Sequence, residues 1–107
     1  MSFRLEYTLN AQTEIEDSFL WIKERAPVAA EKWRDELIGK IEGLAENPHR
    51  HPLAPESGKF PREIRQLLFR KRRAQFRVFY TIDNKRVVIL AVRRSARKPL
   101  EEGDLPI

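Results

Sequence analysis

Ile64–Arg94 reads IRQLLFRKRRAQFRVFYTIDNKRVVILAVRR. From Glu63 onward the apolar residues recur with period two, the pattern of extended chain. Ile64–Phe69 is predicted as one strand, Phe76–Ile82 as a second and Val87–Arg94 as a third. Asp83-Asn84-Lys85 forms a hairpin turn between the last two. Arg70–Gln75 is a longer, strongly basic connection between the first two. On the middle strand Phe76, Val78, Tyr80 and Ile82 share the face better suited to a core. Arg77, Phe79 and Thr81 share the other face, so Arg77 points outward, on the exposed side of the sheet. Arg65 and Arg94 lie on the neighbouring strands. Their facing stays open, because apolar residues occur on both sides there.

Upstream of this meander the period changes. Phe3-Arg4-Leu5-Glu6-Tyr7 alternates and reads as a strand. Asn10 is a candidate N-cap for a helix over Ala11–Arg25, in which Ile15, Phe19, Ile22 and Ala26 form an apolar stripe. Glu14, Glu16 and Asp17 read as the negatively charged start of that helix, which its dipole favours. Pro27 stops it and suits the first turn of a second helix, Val28–Glu46, striped by Ala30, Trp33, Leu37, Ile41 and Leu44. Asn47-Pro48 ends this helix, and so short a connection predicts an antiparallel helical pair. Residues 47–62 hold four prolines and both histidines and read as a long loop. The prediction is an α+β domain spanning residues 1–107, in the order β-α-α-β-β-β. A helical hairpin covers one face of an antiparallel sheet, and residues 99–107 form an acidic tail.

The chain has 107 residues, no cysteine and a net charge of +5. No apolar run approaches the length of a membrane span. The opening residues lack the apolar core of a secretory signal. A cytoplasmic protein without disulfides or cysteine-ligated metal is expected. The charge is unevenly spread, at −3 over residues 1–59, +11 over 60–98 and −3 over 99–107. Ten of the 13 cations in the middle segment are arginine, whose planar fork suits phosphate. Such a segment is expected to meet a polyanion or an acidic partner.

Most enzyme chemistries lack their residues. His49 and His51 have only Glu56 as a carboxylate in the same loop, too few ligands for a metal. Ser18, Ser57 and Ser95 have no nucleophile elbow around them, and no glycine-rich phosphate loop exists. No cofactor is implied. What remains is arginine, which binds phosphates or stabilises the charge of a phosphoryl-transfer transition state.

The element order, Arg65-x-Leu67, Phe76-Arg77-Val78-Phe79-Tyr80 and the apolar strand ending at Arg93-Arg94 resemble the RelE/ParE superfamily of toxins from bacterial type II toxin–antitoxin systems. Helix two, ending in Leu44-x-x-Asn47-Pro48, is similar as well. The resemblance implies one of two actions: cleavage of mRNA in the ribosomal A site, or poisoning of DNA gyrase without enzymatic activity. It also implies an antitoxin that folds on the toxin. Under the ribosome reading Arg77 stabilises the transition state. Arg65 and Lys71 then bind or orient phosphates, Arg94 closes the site, and Arg70, Arg72, Arg73, Arg93, Arg97 and Lys98 hold nucleic acid. The sequence departs from RelE-like patterns in having no Tyr or His after Tyr80, so Lys71 or Lys98 must act as the acid–base group. The departure raises the alternatives, a gyrase inhibitor or an inactive nucleic-acid-binding relative, but the arginine excess keeps ribosome-dependent mRNA cleavage the expected action. Trp21, outside the helix stripe, is a candidate antitoxin anchor.

Overall fold

In a computed structural model, which describes residues 2–71 and 73–107, the chain forms β1 (Arg4–Tyr7), α1 (Leu9–Arg25), α2 (Pro27–Glu42), β2 (Arg65–Lys71), β3 (Ala74–Asp83) and β4 (Arg86–Arg94). Short 3₁₀ turns at Gly43–Ala45, Pro48–Arg50 and Ser57–Lys59 punctuate the connection between α2 and β2. The α+β class and the element order are as the sequence predicts. The sheet order is β1-β4-β3-β2. β2, β3 and β4 form the expected antiparallel meander, but β1 lies parallel to β4, so the sheet is mixed. Alternation along Phe3–Tyr7 announces a strand; it carries no information on the direction of its neighbour.

Several local boundaries differ from expectation. α1 is capped by Thr8, whose side chain accepts from the backbone N–H of Ala11 at 3.1 Å, and not by Asn10. Asn10 instead donates its amide to the carbonyl of Leu90 at 2.9 Å. Because the helix begins at Leu9, no acidic residue occupies its first turn, and Glu14 works elsewhere. α2 ends at Glu42 and tightens into 3₁₀ geometry instead of running to Glu46. β2 and β3 extend to Lys71 and from Ala74, so Arg70 and Lys71 lie on a strand and not in a longer connection. Asn84, in the left-handed region at φ 57°, makes the turn before β4, a conformation asparagine tolerates.

Both faces of the sheet are covered. The helices pack on one face over Phe76, Val78, Tyr80, Val87, Ile89 and Val92. The other face, expected to be exposed, carries a second core. There Phe79, Leu90 and Ala91 meet Ala54 and Ile64 from the proline-rich connection, with Leu100 and Leu105 from the acidic C-terminal stretch. A bulge makes this possible. Phe79 pairs with Ala91 but Tyr80 pairs with Ile89, so Leu90 is inserted and two consecutive β4 residues reach the second core. A strand buried on both faces explains the unbroken apolar run of β4.

β1 covers β4 only as far as Ile89. Beyond it, side chains of α1 take over the open edge. Thr8 Oγ1 donates to the carbonyl of Ile89 at 3.0 Å, and the Glu14 carboxylate accepts from the N–H of Val92 at 2.9 Å. The helix thereby satisfies backbone groups that an edge strand would leave open.

Candidate functional site

The sequence-predicted cations fall into two places. Arg77 projects from the middle of β3, away from the helices as its strand phase requires. It is mostly withdrawn from solvent. Its two terminal nitrogens donate to the two Glu56 oxygens at 2.7 and 2.6 Å, and its Nε donates to Gln66 Oε1 at 2.8 Å. The side chains of Arg77 and Glu56 are 15% and 5% exposed, so the pair is buried. Glu56 also accepts from the N–H of Leu100 at 3.1 Å, which ties the C-terminal stretch to the pair. The Arg77 hydrogen bonds, and behind them that of Leu100, hold the Glu56 carboxyl well below the usual range, at about 2. Every nitrogen of this guanidinium is engaged inside the protein. Arg65 is likewise occupied, its Nη1 donating to the carbonyls of His49 at 3.3 Å and His51 at 2.6 Å. That use fastens the proline-rich connection to β2.

The other cations gather at the opposite end of β2. A groove of about 750 Å³ opens between the tip of the helical pair and the end of the sheet. Lys71, Arg73, Arg93, Arg94 and Arg97 line it, with Trp21, Trp33 and Phe76 as its aromatic wall. Arg94 is brought here because it pairs with Phe76 across the β3–β4 ladder. Trp33 packs against Phe76 with ring centroids 5.2 Å apart. The guanidiniums of Arg25 and Arg94 lie 3.9 and 5.6 Å from the Trp21 ring centroid, within cation–π range. Not all of this charge is open. Lys71 Nζ lies 2.6 Å from Glu36, and lowers that carboxyl below its usual range chiefly by a hydrogen bond. Arg93 bridges Glu14 at 3.1 Å and Asp104 at 3.6 Å, and Arg97 reaches Glu14 at 3.8 Å. Arg73 and Arg94 have no carboxylate partner among the described residues, and neither do Arg70 and Lys98, which are exposed outside the groove lining. Arg72 lies outside the described residues.

The structure therefore does not bring the expected quartet together. Arg77 and Arg65 serve the scaffold, while Lys71 and Arg94 share the groove. Sequence reasoning missed the parts played by Glu56 and Glu14. One signal was available: a segment with 13 cations and two acids must draw its counter-charges from elsewhere in the chain. Among the described residues no cluster of His and carboxylate groups can hold a metal ion, and His49 lies edge-on to Phe3 with centroids 6.0 Å apart. Among the described residues no helix is long and apolar enough to cross a membrane.

Comparison with known proteins adds the family. The solved structure described as the chromosomal ParDE TA system from P. aeruginosa superposes with a TM-score of 0.69 at 18% identity. It covers 87% of this chain and 96% of that one, and so shares its fold. No curated protein sequence matches the chain. The profile of the family described as the ParE toxin of type II toxin-antitoxin system, parDE, matches residues 5–99, nearly the whole length. The chain belongs to the ParE toxin family of type II toxin–antitoxin systems.

Proposed function

We propose that this chain is a cytoplasmic toxin that arrests growth by binding DNA gyrase, with no nuclease chemistry of its own. The observation that supports this reading is the engagement of Arg77. Phosphoryl transfer needs donors aimed at the developing charge and ready to receive it. Arg77, the group best placed by the strand pattern for that work, is closed off by Glu56, Gln66 and the C-terminal stretch. Releasing it would leave a carboxylate buried and unpaired. The missing Tyr or His after Tyr80 points the same way, as does membership of the ParE branch of the superfamily.

A toxin of this family has an antitoxin partner. The exposed apolar groups at the hairpin tip, Leu20, Trp21 and Val28, are the anchors we assign to it, with the unpaired arginines meeting its acidic residues. An antitoxin segment that is disordered alone must bury a large surface to bind tightly, and this ridge and the groove beside it supply one.

The test uses purified toxin in two reactions. Supercoiling by gyrase should fall in proportion to added toxin, and mRNA on programmed ribosomes should stay intact. Cleaved A-site mRNA with unimpaired supercoiling would overturn the proposal in favour of ribosome-dependent cleavage.

A further inference from the structure

The groove between the hairpin tip and the sheet has properties that inhibition of a protein target does not require. Trp21 is 51% exposed at its mouth. Arg25 and Arg94 lie within cation–π reach of its ring. Trp33, buried behind, lines the same wall, and Phe76 supports it. Arg73 and Arg94 stand on the rim with no carboxylate to neutralise them among the described residues. The acids that also line the groove take little away. The Glu14 carboxylate is engaged by the Val92 N–H, Arg93 and Arg97, which leaves Asp17 as the uncommitted one.

We infer that this groove binds single-stranded nucleic acid, a base stacking at Trp21 while the adjoining phosphates contact Arg73 and Arg94. A stacking aromatic beside unpaired guanidiniums is the pairing that single strands use, because every base has a π-face and every linkage a charge. A duplex keeps its bases stacked on each other and cannot present one to Trp21. An acidic peptide would meet the arginines but carries no flat base to stack on the indole. The opening, about 750 Å³, is of the size that holds one or two nucleotides. The site does not include Arg77, whose engagement carries the gyrase reading, so it stands whether or not gyrase is the target. It also shares Trp21 with the surface assigned to the antitoxin. Antitoxin and strand then exclude one another.

The test titrates the free toxin with a dodecamer of deoxythymidylate at low salt and follows tryptophan fluorescence. Saturable quenching is expected. Trp21→Ala should weaken binding at least tenfold, while Trp21→Phe, which keeps a stacking ring, should retain most of it. Arg73→Gln and Arg94→Gln should each weaken it at least threefold and lower the slope of log affinity against log salt by about 0.7. Arg50→Gln, an exposed cation outside the groove, should change affinity far less. Circular dichroism checks that each variant is folded. Binding that ignores Trp21→Ala overturns the proposal, as does a duplex that binds as tightly as the single strand. So does a glutamate-rich peptide that shows the same affinity and the same dependence on Trp21, which would make the groove a site for acidic protein.

Discussion

Two oxygens of Glu56 hold both terminal nitrogens of Arg77, and that pair changes what a substitution at either residue reports. Arg77→Ala leaves a carboxylate that is 5% exposed without its partner. The loss of one member of a buried pair costs about 3–5 kcal/mol. The variant should show that loss in urea unfolding, whatever it does to toxicity, so toxicity assays at this position need a stability control. Glu56 also makes stability depend on pH. Its carboxyl titrates near 2 in the folded protein and near its ordinary value when unfolded. The contribution is therefore complete above pH ~4.5 and drains away as pH falls towards 2. The urea midpoint of the parent should drop across that window, and Glu56→Gln, already weaker at neutral pH, should show a shallower drop. An equal drop in both would assign acid sensitivity to other carboxylates. The facing of Arg77 was legible in the alternation of β3. Its partner was not, because Glu56 lies 21 residues away in a connection with no periodic pattern.

At the scale of elements, the three meander strands and both helices could be read from periodicity, since each carries enough apolar residues to show its period. What escaped was the outer layer. Ala54, Leu100 and Leu105 sit among polar and proline residues, and their burial depends on the bulge at Leu90, for which the apolar run of β4 gives no register. Leu100 is 1% exposed and packs on that layer. Leu100→Ala should cost about 2–5 kcal/mol, the range for a buried leucine, where a free acidic tail would give no change. The open edge of β4 gives a second check. Glu14→Ala removes the acceptor of the Val92 N–H. Hydrogen exchange at Val92 should then speed up at least tenfold, while Ile89, which β1 covers, stays protected. Exchange unchanged at Val92 would mean that the helix does not guard this edge.

Across the whole molecule, the charge split of the sequence becomes a folding pattern. Carboxylates of the acidic first part and of the C-terminal stretch meet the basic middle: Glu6 with Arg86, Glu14 with Arg93, Glu36 with Lys71, Glu56 with Arg77, Asp104 with Arg93. These contacts absorb part of the local excess. Among the described residues, Arg70, Arg73, Arg94 and Lys98 have no carboxylate partner and lie around the end of the sheet where Gln75 meets Ser95. The imbalance was plain in the composition; which cations stay free was not, since that follows from pairs distant in sequence. An antitoxin supplied by the adjacent small open reading frame should co-purify with this chain and restore growth. Trp21→Glu in the toxin should weaken that complex at least tenfold, and a complex indifferent to Trp21 would move the interface off the hairpin tip. The central claim is that growth stops through gyrase and not through RNA. Its most direct measurement is the incorporation of labelled thymidine, uridine and methionine in the first minutes after induction. DNA synthesis should fall first, with an SOS response, while protein synthesis continues. Early loss of methionine incorporation, with DNA synthesis intact, would contradict the account.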